Sequence, residues 1–488
     1  MPKLVIDGIQ VDAPEGLNLV EAAKLVGIKI PTFCYHPALS IVGQCRICLV
    51  EVEGLPKLQP GCATFVREGM VVHTNTERVK KVRAQVMEFL LINHPLDCPI
   101  CDQAGECDLQ DFCEEYSFPK SRFLEKKRVY EKEQRRAIGP YVFQNQNRCI
   151  HCSRCIRFCE EIAQTSELTF AKRGHRMLVD LYSSMTLSNP WSLCTADICP
   201  VGALTSIPFR FKERVWNLER APSICPHCGI GCNIYVFHRS GKVARFLPRL
   251  NENINHYWLC DKGRTSFDWM NEPNHFEFLV DGKISSYKEA KEKFKKILKE
   301  SKITVLVNPF CSLEELYLLK LKFPSLYILR PETEERRIKS KYVWLKSRNL
   351  APNCKGAESL KIPFYNGEEL GDVFLIYNPL IKLPEIKGKV RIIDTRHSTP
   401  YDDKVELLIP SALFFEKEGT YLSEYGFLQH TPRVYPSPLD LPSTFDYLIE
   451  FFKEEDPYPF EKIEDCFLSI GISGGKGYDK LPLKVEKV

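Results

Sequence analysis

The sequence predicts a multidomain protein, α+β over its first 274 residues and α/β beyond them. Three observations carry that expectation. At 488 residues the chain exceeds what one core supports, since single cores stop growing at roughly 250–300 residues. Its 21 cysteines are unevenly spread, with eighteen inside residues 1–260, among short strand-like runs. From residue 275 the pattern changes to helical stretches alternating with short apolar runs, ITVLVN, DVFLIYN and VRIIDT, as in an α/β sheet.

Composition narrows the function classes. The 67 Lys+Arg and 63 Asp+Glu leave a formal net charge of +4, too even for a chain whose main task is gripping nucleic acid. Hydrophobic residues at 44% and charged residues at 27% exclude wholesale disorder. No window holds 18 uninterrupted apolar residues, and VELLIPSALFF is broken by proline, so no membrane span is expected. The opening MPKLVIDGIQVDAPEG lacks a basic stretch leading into an apolar run, so nothing directs the chain to an oxidising compartment. Metal binding is therefore the expected use of the thiols.

The elements follow in order. Alternation in KLVIDGIQV predicts strands, and LNLVEAAKLVGI predicts a helix with Asn18 and Glu21 at capping-box spacing and Gly27 at its end. RICLVEVEG and MVVHTN read as strands of the same small sheet. In TERVKKVRAQVMEFLLINH, Val79, Val82, Val86 and Leu90 predict one apolar helical stripe, ended by Pro95. Between Lys120 and Arg136, eight basic and three acidic residues without an apolar period predict a solvated connector or helix. A cysteine-dense segment runs to about Pro208, and a strand-rich one from about Val215 to Asn274. SYKEAKEKFKKILKES predicts a helix, and the tail PLKVEKV is expected to be loose. The expected domains are 1–78, 79–118, 137–212, 218–274 and 275–488.

Four ligand sets carry the chemistry. The first, Cys34-x10-Cys45-x2-Cys48-x13-Cys62, joins a lone thiol, a close pair on a loop bent at Gly43, and a distant fourth thiol. That pattern suits a [2Fe-2S] cluster wrapped by one loop, with zinc or buried cysteine as the alternative. The second is His94-x3-Cys98-x2-Cys101-x5-Cys107, just after the amphipathic helix. Its neutral imidazole removes one negative charge from the ligand shell, although a histidine before proline is also a common helix-end residue. The third, Cys149-x2-Cys152-x2-Cys155 with a remote Cys199-Pro200, follows the bacterial ferredoxin pattern for one [4Fe-4S] cluster. The fourth is Cys225-x2-Cys228-x3-Cys232-x27-Cys260, where Gly229 and Gly231 let the backbone fold around a cuboidal cluster and their amides can donate to sulfide. A zinc ribbon is its alternative.

Cys113, Cys159 and Cys194 are expected to be core thiols. Lys262 is a solvated lysine or a charge near the fourth set, and Arg46, Arg148 and Arg154 are candidate neighbours of anionic centres. Cys311, Cys354 and Cys466 lie in contexts without a metal pattern. No G-x-G-x-x-G joins a strand to a helix, and GISGGKGYD has the wrong spacing for a phosphate loop, with Gly477 in place of Ser or Thr. Neither a flavin nor a nicotinamide site is therefore expected, and electrons should enter from one partner and leave to another.

The order of motifs over residues 1–274 resembles the large iron–sulfur subunit of bacterial NADH:quinone oxidoreductase, respiratory complex I. The resemblance implies a plant-type ferredoxin-like β-grasp domain for the first set, a His-Cys helical segment for the second, a ferredoxin-like domain for the third, and a molybdopterin-oxidoreductase-type domain for the fourth. It implies one [2Fe-2S] cluster at Cys34, Cys45, Cys48 and Cys62. It implies three [4Fe-4S] clusters: at His94, Cys98, Cys101 and Cys107; at Cys149, Cys152, Cys155 and Cys199; and at Cys225, Cys228, Cys232 and Cys260, the last off the main electron path. It further implies an oxidoreductase component active only within the proton-translocating complex, on the cytoplasmic side of the cell membrane, between a flavin- and NADH-binding subunit and quinone-proximal iron–sulfur subunits.

Beyond Asn274 only 214 residues follow, where the family has a large molybdopterin-oxidoreductase-like domain. PSALFFEKEGTYLSEYGFLQ resembles that domain at Glu416, Gly419, Thr420, Gly426 and Gln429, but Ser423, Tyr425 and Phe427 depart from its pattern. A truncated, vestigial α/β scaffold without molybdopterin is the expectation. An NAD-linked formate dehydrogenase shares the N-terminal layout but needs a full molybdenum domain. Iron-only hydrogenases share three sets but carry further cysteine motifs missing here. A zinc-stabilised scaffold without redox chemistry is the alternative of a different class.

Overall fold

The computed structural model describes residues 1–117, 120–131, 134–333, 347 and 349–452, and the backbone of 479–480 and 486–487. Cys466 and most of GISGGKGYD lie outside the described residues. Two compact units are present, one from Met1 to Trp216 and one beginning at Asn217.

The first unit opens with β1 (Lys3–Ile6), β2 (Ile9–Asp12), α1 (Leu19–Leu25), β3 (Leu49–Val52), β4 (Gln59–Pro60) and β5 (Val71–His73). The sheet order is β2-β1-β5-β3-β4, with β1 and β5 parallel and the remaining pairs antiparallel. Alternation buries Leu4, Ile6, Val50 and Val72 against Leu19, Val20, Ala22 and Ala23 of α1. The Asn18 side chain accepts from the Glu21 N–H at 3.0 Å, as its spacing predicts. Gly27 has φ +75°, and Gly27 and Ile28 donate to Lys24 and Ala23, so this glycine ends α1 in a left-handed turn.

α2 (Glu77–Leu91) starts at Thr76, whose hydroxyl accepts from Val79, and ends before Pro95. Its buried face is Val79, Arg83, Ala84 and Met87, while Val82, Val86 and Leu90 are half-buried. Apart from Val79, the stripe read from the sequence lies at the edge of the buried face, because Arg83 lies inward, with its guanidinium donating to Tyr116 and the Leu49 carbonyl. α3 (Asp108–Tyr116) packs beside α2. From Lys120 to Glu131 the basic connector holds no helix. It straps α2: Arg122 pairs with Glu88, and Lys127 Nζ donates to the terminal carbonyls of Leu91 and Ile92.

β6 (Arg135–Ala137), β7 (Val142–Asn145), α4 (Arg154–Arg157), the hairpin β8 (Leu168–Ala171) and β9 (Leu178–Leu181), α5 (Cys194–Asp197) and β10 (Leu204–Ser206) complete this unit. A second core gathers Phe33, Ile47, Met87, Leu109, Phe112, Val201 and Ala203 from segments far apart in sequence.

In the second unit β11 (Glu219–Ile224), β12 (Asn233–Arg239) and β13 (Lys242–Pro248) form an antiparallel sheet, followed by α6 (Asp261–Thr265) and α7 (Asp268–Asn271). Within the tail expected to be loose, Glu486–Lys487 pair with Glu219–Arg220, so backbone pairing holds the described part. β14 (Phe278–Val280), β15 (Lys283–Ser285), α8 (Tyr287–Glu300), β16 (Ile303–Val307), α9 (Leu313–Lys322), β17 (Leu326–Ile328), β18 (Asp372–Ile376), β19 (Lys389–Asp394) and β20 (Leu407–Ile409) make the α/β part. Its sheet order is β15-β14-β20-β19-β18-β16-β17, with the last five strands parallel. All five residues of β16 are buried, as a parallel strand covered on both faces requires. α8 has the capping box Ser286–Glu289 and buries Ala290, Phe294 and Ile297.

Asp394, at the end of β19, is fully enclosed, and burial pushes its carboxyl up to about 6 against hydrogen bonds from Thr444 and Tyr447. Its folded value lies above its unfolded value near 4, so stability is lost as pH rises from about 4 to 6. Asp394→Asn is therefore expected to raise the thermal midpoint more at pH 8 than at pH 4.5; equal gains at both would contradict this assignment. In the first unit, Met87→Ala is expected to cost about 2–5 kcal/mol in chemical denaturation, because Met87 is fully buried in the second core.

Candidate metal centres

Among the described residues no cysteine is held in a disulfide. In the first set Cys34, Cys48 and Cys62 are buried and Cys45 is half-buried. The Cys45 N–H donates to Cys34 Sγ at 3.5 Å, and Cys48 Sγ lies 3.4 Å from Cys62 Sγ. Cys62 feels the charge of all three others. A hydrogen bond from the Cys45 thiol holds Cys34 well below the usual thiol value, aided by the Cys45 and Gln44 amides and by Arg157. The loop turns at Gly43 (φ +58°) and Arg46 (φ +61°), and Arg46 points its side chain to solvent rather than to a thiol.

The second set follows the end of α2. Cys101 and Cys107 are buried and Cys98 is exposed. Cys101 is acted on by Cys98, and Cys107 by Cys101. His94 is pushed down to about 4, first by burial and then by the charges of Arg148 and Lys127, which leaves its ring neutral, the form that binds metal. A Cβ on Gly202 would stand 2.3 Å from Cys101 Sγ, so the glycine leaves that sulfur its space. Arg214, which no sequence pattern singled out, donates to the carbonyls of Cys101 and Pro99, both at 2.6 Å.

The third set converges on one cavity. Cys149, Cys152, Cys155 and Cys199 line a single cavity, whose other walls include Val179, Val201, Ala203 and Leu204. His151 (φ +56°) and Ser153 (φ +62°) are both left-handed, and these turns curl the cysteine run inward. The His151 N–H donates to Cys149 Sγ at 3.4 Å. Burial raises all four thiols, and Cys155 is pushed higher still by the charges of Cys152, Cys149 and Cys199. Four half-buried thiols that face one cavity and resist ionisation together suit a cationic iron core, which compensates their charge. Arg148 and Arg154 are buried here: Arg148 pairs with Asp97 at 2.9 Å, and Arg154 lowers Cys152 and Cys199. Cys159 and Cys194 are buried and Cys113 half-buried; none lines this cavity.

In the fourth set Cys225, Cys228 and Cys232 are buried and Cys260 is half-buried. A Cβ on Gly263 would meet Cys225 Sγ and Cys260 Sγ at 3.1 Å each, and the Gly263 N–H donates to Cys260 Sγ at 3.3 Å. Sequence reasoning gave that amide role to Gly229 and Gly231. Their N–H groups instead donate to the carbonyls of Asn349 and Cys228, and Gly231 is needed for its φ of +66°. Lys262 is exposed. Cys311 and Cys354 are buried in the α/β part. Among the described residues no three His, Cys, Asp or Glu side chains close on a single metal ion.

Fold and thiol sets together define an iron–sulfur protein with ferredoxin-like 2Fe-2S and 4Fe-4S domains. Four family models match, and each encloses one set: a 2Fe-2S iron-sulfur cluster binding domain over 3–77, an NADH-ubiquinone oxidoreductase-G iron-sulfur binding region over 83–122, an NADH-quinone oxidoreductase subunit 3 ferredoxin-like domain over 139–205, and an NADH-ubiquinone oxidoreductase NDSU1/NuoG-like 4Fe-4S domain over 218–268. Over two thirds of its length the chain is a homologue of the G subunit of NADH-quinone oxidoreductase. It is 45% identical to that of Rickettsia bellii (strain RML369-C) over 328 residues, 66% of this chain and 48% of the relative. It is 46% identical over 268 residues to the mitochondrial NADH-ubiquinone oxidoreductase 78 kDa subunit of Candida albicans (strain SC5314 / ATCC MYA-2876), 54% of this chain and 37% of the relative. The chain spans about half the length of the bacterial relatives it matches. A solved NAD+-reducing [NiFe]-hydrogenase chain matches at 27% identity over 44% of this chain and 91% of its own; its TM-score of 0.38 is too low to carry a fold assignment.

Gly202→Ala puts a methyl group in the space of Cys101 Sγ. The substitution is expected to lower bound iron and acid-labile sulfide together in the purified protein; unchanged contents would show that Cys101 is free to move.

Proposed function

We propose that this chain is the multi-cluster electron-relay subunit of an NADH:quinone oxidoreductase. Its own residues hold the centres: Cys34, Cys45, Cys48 and Cys62 one [2Fe-2S] cluster; His94, Cys98, Cys101 and Cys107, then Cys149, Cys152, Cys155 and Cys199, then Cys225, Cys228, Cys232 and Cys260, one [4Fe-4S] cluster each. Such clusters supply one-electron oxidation and reduction. The observation that carries the reading is the convergence of Cys149, Cys152, Cys155 and the distant Cys199 on one cavity, within a segment that matches a ferredoxin-like family.

Packing supports a relay order that differs from chain order. The third set touches the first through Arg154 and Arg157, and the second through Gly202, Arg148 and the contact of Cys107 Sγ with the Pro200 carbonyl. In this reading the third centre exchanges electrons with both of the others. At the second set Cys98 is exposed, flanked by the exposed Phe89, Leu96 and Ile100, which suits transfer to a neighbouring protein. The partners in this reading are a flavin- and NADH-binding subunit upstream and quinone-proximal iron–sulfur subunits downstream. The complex lies at the cytoplasmic face of the membrane. Among the described residues no helix is long and apolar enough to cross a membrane.

Metal and sulfide analysis of anaerobically purified protein tests the assignment. About 14 iron atoms and as many acid-labile sulfides per chain are expected. About four zinc ions with no sulfide would establish a zinc scaffold instead.

A further inference from the structure

Two buried arginines lie between the first and third thiol sets. From α4 onward, Arg154, Arg157 and Glu161 recur at three- and four-residue steps, which puts them on one side of the turn. All three grip the loop that follows Cys34. Arg157 Nη2 donates to the Cys34 carbonyl and, at 3.3 Å, to the Cys152 carbonyl, so one guanidinium touches a residue of each set. Its Nη1 donates to the Ser40 carbonyl and its Nε to Ser153 Oγ at 3.1 Å. Arg154 Nη2 donates to the Tyr35 carbonyl at 2.6 Å, and its Nη1 to the carbonyl of Ile198, just before Cys199, at 3.2 Å. Glu161 accepts from the Ser40 amide at 2.9 Å and from the Ser40 hydroxyl.

A strap needs donors but no charge. Arg154 and Arg157 are 9% and 5% exposed and make their hydrogen bonds to carbonyls and a hydroxyl, so neither sits in a buried ion pair. The anionic groups acting on Arg157 are Cys152 and Cys34, one from each set, followed by Glu161. Burying two cations costs free energy unless anions nearby compensate them. Reduction adds one electron to a centre, and a fixed positive charge beside it favours the reduced form.

We propose that Arg157, with Arg154 beside it, is a positioning residue shared by the first and third centres: it fixes their separation and holds both reduction potentials up. The inference rests on the ligand assignment made above. An EPR-monitored redox titration of the full chain in its complex, with dithionite as reductant, tests it. Absence of [2Fe-2S] and [4Fe-4S] signals in the wild type would overturn the ligand assignment itself. With those signals present, Arg157→Gln is expected to move the midpoints of the first and third centres to lower potential together and leave the second unmoved. Arg157→Lys, which keeps the charge, is expected to return both toward the wild type. Wild-type potentials in Arg157→Gln, or a shift of only one of the two centres, would overturn the proposal. If Arg157→Gln loses either signal, Arg154→Gln is titrated in its place, with the same joint shift expected and the same outcomes overturning it.

Discussion

The three thiol sets of the first unit depend on a shared apolar core, in which Phe33, Ile47, Met87, Leu109, Phe112, Val201 and Ala203 meet. These residues come from the loop of the first set, from both helices around the second, and from the turn after Cys199. Cys45, Cys107, Cys149 and Cys199 pack against the same cluster. Three thiol sets are therefore mounted on a common floor and cannot shift independently. Close packing gives that floor its stiffness, since core side chains occupy defined rotamers with few voids. The same apolar surroundings lower the local dielectric, so hydrogen bonds and charges near the thiols act more strongly than in water.

Low dielectric also makes buried charge costly, and the structure answers with an unusual number of enclosed guanidinium groups. Arg83, Arg148, Arg154 and Arg157 are all buried in the first unit. Arg148 has a carboxylate partner in Asp97, while Arg83, Arg154 and Arg157 donate mainly to backbone carbonyls or a tyrosine hydroxyl. Five donors fixed in one plane let a single arginine tie together carbonyls from several separate loops, with more donors than the three of a lysine. Loops without regular secondary structure are thereby tied to one another through side chains.

The second unit shows two uses of glycine around thiols. Gly231 supplies a left-handed turn within the cysteine run, whereas Gly263 has ordinary backbone geometry and leaves room for two sulfurs. Farther along, five parallel strands form a covered sheet whose aromatic core includes Phe294, packed 4.7 Å from Phe451 and 5.7 Å from Phe374 between ring centroids. That sheet matches the alternation of apolar runs and helices in the sequence, since a strand buried on both faces leaves an uninterrupted apolar run.

Sequence alone determined the features that depend on neighbours a few residues apart: the Asn18 cap, the Gly27 terminus, the helix after Ser286 and the β-strands. The tertiary structure decided whatever depends on residues distant along the chain. It turned Arg83 inward on α2, gave the sulfur-facing amide to Gly263 rather than Gly229, made the basic connector a strap, and brought residues beside the third set into contact with both the first and the second. It also brought Arg154, Arg157 and Arg214 onto loop carbonyls that no local pattern marks. The physical reason is range: helix caps and cysteine spacing are written in local backbone geometry, whereas the position of a buried charge is set by which distant segments the apolar core brings together.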